Sequence, residues 1–257
     1  MIPLRDNIPS RTVPVMNYLL IAACVGVFFL QLGAPHANYD QQYGLVPARV
    51  MHPDAKHVLS VIEQVRTPLG IREQPVNYTL PPAAVPNWLT LLSCIFLHGG
   101  LMHLLGNMWF MFIFGDNVED RLGHVGYLLF YLVCGAAASA TQLAVDPDST
   151  MPTIGASGAI AGVMGAYFYL YPRAMVLTLV PIVFLLQMLV IPAPLFLGIW
   201  FLMQFLQRMP GVAWWAHIGG FVAGLVIVIF LGRSHRTRPP VEMRRPRAER
   251  MGYYRVR

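Results

Sequence analysis

Two short stretches of this 257-residue chain carry groups able to do covalent chemistry. Gly155-Ala156-Ser157-Gly158-Ala159-Ile160-Ala161-Gly162 offers a hydroxyl, and Ala216-His217-Ile218-Gly219-Gly220 offers an imidazole. Both open long apolar runs, where a polar side chain is costly unless it faces protein or a water-filled cavity, so both mark function. A serine and a histidine together suggest a nucleophile and its general base. His103 and Asn107 lie four residues apart and therefore share one helical face. These two side chains, and the Ser157 backbone N–H at a helix start, can donate hydrogen bonds to a developing oxyanion. No carboxylate neighbours His217, and Asp146 and Asp148 fall in the loop before the Ser157 run. The expectation is a Ser157–His217 dyad rather than a triad.

The elements that must position these groups follow from composition. Hydrophobic residues make up 56% of the chain, charged residues 12%, and the mean hydropathy is +0.54. A soluble domain is about a quarter charged, so this is a polytopic membrane protein, and its length suits one compact helical bundle. Cys24, Cys94 and Cys134 sit in apolar runs at unrelated spacings and read as packing residues, with no disulfide or metal framework. The first apolar run has no small-x-small cleavage signal and is followed by further spans, so it is expected to be a retained helix. Small residues at 155, 158, 162 and 165, and glycines at 220 and 224, have small-xxx-small spacing. Such helices approach closely enough for Ser157 and His217 to touch. Glycines 155 and 158 flanking Ser157 also permit an unusual backbone there.

A helix crossing the hydrocarbon needs about 20 apolar residues. The candidate spans are Pro14–Leu32, Leu91–Phe114, Gly123–Ala144, Gly155–Tyr171, Pro194–Leu206 and Val212–Leu231, some separated by hinges such as Gly115-Asp116-Asn117. The fold class expected is an all-α bundle of six spans over 14–232, preceded by a cytoplasmic segment 1–13. Arg5 and Arg11 precede the first span, and nine arginines from Arg233 to Arg257 follow the last. Under the positive-inside rule both termini are cytoplasmic, which demands an even number of crossings. The apolar segment 175–191, interrupted by Pro181 and Gln187, is then an interfacial or re-entrant element on the cytoplasmic side. The tail 233–257 fixes orientation and touches anionic lipid, in preference to nucleic acid.

Residues 33–88 form a long outer segment in this arrangement. Asp54 is placed to cap an interfacial helix whose Val58, Leu59, Ile62 and Val65 share a face, rather than a separate domain. Pro75, Pro81, Pro82 and Pro86 predict irregular chain before the second span. Spans two, four and six all start at the outer face, so His103, Asn107, Ser157 and His217 fall at a similar depth. Taken singly, a serine in a Gly/Ala-rich helix is packing and a membrane His or Asn an interhelical hydrogen bond. Trp109 and Tyr171 read as packing or interfacial aromatics, and His98 as a brace at the entry of the second span.

These residues together resemble the rhomboid family of intramembrane serine proteases. His98-Gly-Gly-Leu-Met-His103-Leu-Leu-Gly-Asn107 is similar to its second-span signature, Gly155-Ala-Ser157-Gly to its G-x-S-G nucleophile motif, and Ala216-His217-Ile-Gly-Gly to its base motif. The opening Ile2-Pro-Leu-Arg-Asp-Asn-Ile-Pro-Ser looks like bacterial members. The resemblance covers about residues 1 to 232. It implies a six-helix core that hydrolyses a peptide bond in or beside another protein's transmembrane helix, with water entering from the outer face. Ser157 would be the nucleophile, His217 the base, and His103 and Asn107 the oxyanion donors, without metal or cofactor. The implied partners are substrate transmembrane helices and membrane lipids, and the implied location is a bacterial inner membrane. Many members carry Trp-Arg before the second span, whereas this chain has Trp88-Leu89-Thr90.

Two other functions compete. A rhomboid-like protein that only binds transmembrane helices would lack Ser157 or His217. A channel or transporter would carry polar faces on both sides of the midplane, whereas the later parts of spans four and six are apolar.

Overall fold

Each of the six apolar runs contains a helix, with ends set by local chemistry. The computed structural model describes residues 1–67, 70–182, 185–206 and 212–231, so the arginine tail lies outside the described residues. The long helices are α1 (Val15–Gly33), α5 (Leu101–Leu122), α6 (His124–Val145), α7 (Ser157–Leu170), α8 (Ala193–Leu206) and α9 (Trp214–Leu231). Among the described residues, α1, α6 and α9 are long and apolar enough to cross a bilayer. The stretches Asn87–Phe96 and Leu101–Leu122, bent by 81°, pass together as a fourth, broken span. Helices α7 and α8 are apolar but only 14 residues each.

The second expected span, Leu91–Phe114, is therefore corrected. It begins as the short helix α4 (Thr90–Ser93) and a 3-10 turn at Cys94–Phe96, then breaks at Leu97-His98-Gly99-Gly100. Adjacent glycines weaken a helix and are a frequent place for it to bend. From Leu101 the helix runs through the expected hinge at Gly115-Asp116-Asn117 and ends at Leu122, before Gly123 at φ +73°. Gly115 is a packing glycine, because a Cβ there would lie 2.2 Å from the Asn17 Oδ1. Glu119 remains buried in this helix because its carboxylate accepts the Met16 and Asn17 backbone N–H groups, at 2.9 and 2.7 Å, in the first turn of α1.

The bundle is not all-α. Strand β1 (Ile2–Asp6) pairs antiparallel with β4 (Met175–Ile182), which pairs with β5 (Leu185–Pro192), giving the order β1-β4-β5. The 175–191 segment is thus a β-hairpin pinned by the N-terminal strand. The interfacial helix expected after Asp54 is also corrected: β2 (Val58–Thr67) and β3 (Gly70–Thr79) form a hairpin in register from Val58↔Thr79 to Thr67↔Gly70. The five apolar residues over positions 58–65 fit either period, and exposure reveals which one operates. Leu59 is 8% exposed against Val46 and Leu80, with Val61 beside it, whereas Ile62 is 72% exposed. That alternation is a half-buried strand rich in β-branched residues. Pro75 sits in β3 opposite Ile62, and irregular chain is found at 80–86, around Pro81, Pro82 and Pro86.

Helix α7 is the axis of the bundle, buried from Gly158 to Tyr167. It packs on α9 backbone to backbone. A Cβ at Gly220 would lie 1.9 Å from the Gly158 carbonyl oxygen, and one at Gly224 1.9 Å from that of Gly162. A Cβ at Gly165 would lie 2.1 Å from the Phe221 carbonyl oxygen. At the far end of α7, the Tyr167 hydroxyl donates to the Asp6 carboxyl and Tyr171 donates to the Asn117 carbonyl at 2.7 Å. Burial pushes the Asp6 carboxyl up to about 7, with the nearby Asp116 adding to the rise. The start of α7, with Ser157, lies at the end of the bundle that carries the outer segment.

Candidate active site

Ser157 is the first residue of α7, and His217 is in the first turn of α9. The glycine contact between these helices brings the two side chains together, with Ser157 Oγ 2.7 Å from His217 Nε2. The other imidazole nitrogen, Nδ1, lies 2.8 Å from Gln204 Oε1 on α8. The Trp200 ring packs on the imidazole, with centroids 5.8 Å apart.

The two donors expected from the second span arrive through the bend. His103 and Asn107 are in the first two turns of α5 and face the loop that ends at Ser157. That loop makes its turn at Gly155, φ +123°, where a Cβ would lie 2.7 Å from His103 Nε2 and 3.7 Å from Asn107 Nδ2. The Gly155 N–H donates to the Cys94 carbonyl at 2.9 Å, which ties the loop to the broken start of the second span. His103 Nδ1 accepts the Gly99 N–H at 3.3 Å, so a neutral ring carries its proton on Nε2, the nitrogen nearest Gly155. Asn107 Nδ2 is buried and has no protein acceptor. A buried donor without a partner is unusual enough to call for a functional explanation. No side chain caps the start of α7, whose first N–H groups have no acceptor inside the helix.

Residues His103, Asn107, Gly155, Ser157, Trp200 and His217 line one cavity of about 380 Å³. A second hollow of about 780 Å³ shares His103, Thr153, Ile154, Val212 and Ala213 with it and reaches Asp146 and Ser149 in the loop before α7. Polar groups therefore continue from the serine towards the mouth of the bundle. His98 is buried beside this site. Its ring meets that of His103 edge-on at 5.3 Å, and its backbone N–H and carbonyl are both held by the Gln31 side chain of α1, at 3.1 and 3.3 Å.

The outer segment braces the serine loop. Leu45 and Thr153 exchange backbone hydrogen bonds at 3.0 and 2.8 Å, and the Ala48 N–H donates to the Ser149 carbonyl at 3.0 Å. Helices α2 (Tyr39–Tyr43) and α3 (Pro47–Met51) are organised around Arg49, buried with its guanidinium donating to the Gln41, Gly44 and Pro81 carbonyls. Trp88 is exposed, and Asn87 beside it donates to the Arg49 carbonyl at 2.9 Å. Gln204, Gln31 and Arg49 escaped the sequence reading. Gln204 had a legible signal, as a lone carboxamide in an apolar run.

Residues 85–234, which include every element of the cavity, match the family model described as Rhomboid domain. The chain belongs to the rhomboid family. It is 34% identical to RHOMBOID-like protein 4 of Arabidopsis thaliana over 153 residues, covering 56% of this chain and 34% of that one. It is 31% identical to RHOMBOID-like protein 5 of the same plant over 172 residues, covering 63% and 49%. Rhomboid protease GluP of Bacillus subtilis is 39% identical over 82 residues, covering 32% of this chain and 16% of that protein. The chain thus spans between a third and a half of the length of the two plant relatives.

The Gly155 turn yields a direct test of the donor geometry. In Gly155→Ala, the new methyl meets His103 Nε2 and the backbone holds a φ that side chains rarely adopt. The variant should keep its helical circular dichroism in detergent while any hydrolytic turnover at Ser157 falls by about tenfold or more. Undiminished turnover would show that His103 does not need this approach to the loop.

Proposed function

We propose that this protein is an intramembrane serine endopeptidase, cleaving a peptide bond in or next to the transmembrane helix of another membrane protein. The observation that carries the reading is the 2.7 Å contact of Ser157 Oγ with His217 Nε2 on the wall of a cavity that is also lined by His103 and Asn107, whose buried Nδ2 has no partner. Its membership of a family that includes a protein named as a protease supports it.

The chemistry follows from the atoms present. His217 Nε2 takes the Ser157 proton as Oγ bonds to the scissile carbonyl carbon. The carbonyl oxygen becomes an oxyanion, and the His103 Nε2–H, the Asn107 amide and the Ser157 N–H stabilise it. Collapse breaks the C–N bond, and His217 returns the proton to the leaving amine. A water molecule then repeats the attack on the acyl-serine, losing its proton to His217, which passes it to Ser157 Oγ as the ester bond breaks and the carboxylic acid is released. Water arrives through the adjoining hollow, whose lining includes Gln142, Asp146, Ser149 and Thr153. A strand or helix of substrate must open locally to present a carbonyl, so the favoured substrates have helix-breaking segments near the membrane surface.

The same proposal includes six crossings over 14–232, with residues 1–13 and 233–257 in the cytoplasm of a bacterial cell. Fourteen residues of helix span about 21 Å at 1.5 Å per residue, less than the roughly 30 Å hydrocarbon core. Helix α7 tolerates this because Ala156 before it and Tyr171 and Ala174 after it are buried in protein, where irregular backbone is acceptable at membrane depth. The β4–β5 hairpin lies at the inner interface. Leu185 and Leu186 point to opposite faces and are 66% and 68% exposed, and Met175 to Leu206 contains no charged residue. Lipid covers both faces of the hairpin near Leu185 and Leu186, as it covers Phe29 on α1 and Phe230 on α9.

Purified protein in liposomes with a single-span substrate tests the activity. Ser157→Ala should fold and abolish cleavage, whereas Asn107→Ala should lower turnover about a hundred- to a thousandfold, the usual loss for one oxyanion donor. Cleavage by Ser157→Ala in the absence of other proteases would refute the serine mechanism. Topology is tested separately with reporter fusions, which should read outside near Asp148 and inside at Arg233. An outside signal at Arg233 would refute the six-span arrangement.

A further inference from the structure

We propose that Gln204 is a positioning residue for His217, so that the working unit is a serine–histidine–glutamine chain rather than a dyad. This rests on the reading of Ser157 as nucleophile and His217 as base. A neutral imidazole has one N–H and one lone pair, and only the form with the lone pair on Nε2 can take the Ser157 proton. Which form is present is set by the partner of the other nitrogen.

Three contacts decide it in sequence. Gln204 Nε2 lies 2.9 Å from the Trp200 carbonyl oxygen, one turn earlier on α8. A carbonyl only accepts, so the carboxamide must turn its NH2 towards Trp200 and its oxygen away. Oε1 then faces His217 Nδ1 at 2.8 Å and, being an acceptor, requires the proton on Nδ1. Nε2 is left with its lone pair directed at Ser157 Oγ, 2.7 Å away. A backbone carbonyl of α8 thus fixes the amide, the amide fixes the tautomer, and the tautomer fixes the direction of proton transfer. The Trp200 ring packed on the imidazole limits its rotation, so one residue supports the base through both its carbonyl and its side chain.

The carboxamide also differs chemically from a carboxylate. It orients the imidazole without adding a full negative charge, which would be costly in an apolar helix such as α8. When His217 becomes an imidazolium, Gln204 Oε1 continues to accept from Nδ1 and stabilises the cation as a dipole.

The test compares Gln204→Met and Gln204→Glu with the wild type and with Ser157→Ala in liposomes. Methionine keeps the volume and removes the acceptor. It should lower kcat by about ten- to a hundredfold, the loss typical of removing an outer partner that orients a metal-bound imidazole, with KM within about twofold. Glutamate restores an acceptor and adds charge. It should recover turnover relative to methionine and move the acidic limb of the kcat/KM profile to higher pH, because a carboxylate favours the protonated imidazole. A residue 204 side chain that did not reach His217 would not move that limb, and a purely packing role would leave kcat of Gln204→Met, which keeps the volume, at the wild-type value. If Gln204→Met does not fold, the pH profile of Gln204→Glu decides alone. Wild-type kcat in Gln204→Met, or an unmoved acidic limb in Gln204→Glu, would overturn the inference. Ser157→Ala inactive in the same assay would leave the serine mechanism standing in that event.

Discussion

The rest of the structure depends on the contact between the glycine faces of α7 and α9. Gly220 and Gly224 lie so close to the carbonyls of Gly158 and Gly162 that no side chain fits between them. In lipid there is little hydrophobic drive to bring two helices together, so close van der Waals packing of small residues supplies the association. The consequence is chemical. Ser157 precedes Gly158 and His217 precedes Gly220 by three residues, so the helix contact sets the distance between hydroxyl and imidazole. A wider crossing would carry the base out of reach while leaving both helices intact.

Polar groups are distributed to serve the two ends of this axis differently. At the sheet end of α7, Tyr167, Asp6, Tyr171 and Asn117 are paired with one another and anchor the N-terminal strand. At the opposite end, Asn107 keeps an unpaired amide, and the serine loop is held from outside by Leu45, Ala48 and Cys94 through backbone hydrogen bonds. The paired groups add rigidity, and the unpaired donor is the one that the proposed mechanism assigns to a substrate oxygen. The break at Leu97–Gly100 is part of the same design, because it brings the start of α5, with His103, to the Gly155 turn.

Much of this site was legible because polarity inside an apolar run is rare. Ser157, His217, His103 and Asn107 stood out on that ground, and small-residue spacing predicted which helices touch. Gln204 met the same criterion but lay in a short apolar run with no motif around it, and its meaning depends on the Trp200 carbonyl, which no side-chain pattern encodes. Gln31 acts through the backbone of His98 and left no spacing signal. The β2–β3 hairpin is not legible in the sequence because Val58, Leu59, Ile62 and Val65 satisfy a 3.6-residue period, and only the facing strand decides for a period of two. The second span was misplaced for a simpler reason. Gly99 and Gly100 break it early, while the polar Gly115-Asp116-Asn117 stretch is absorbed by packing against Asn17 and Asp6.

On the proposed reading, the α7–α9 contact turns one ordinary serine into a nucleophile through His217. A fluorophosphonate probe on the folded protein in lipid, followed by peptide mapping, reads that directly, since an unactivated hydroxyl reacts poorly. A single labelled residue, Ser157, is expected, and His217→Ala should lose that label. A label on a different serine, or equal labelling of Ser157 when His217 is alanine, would contradict it.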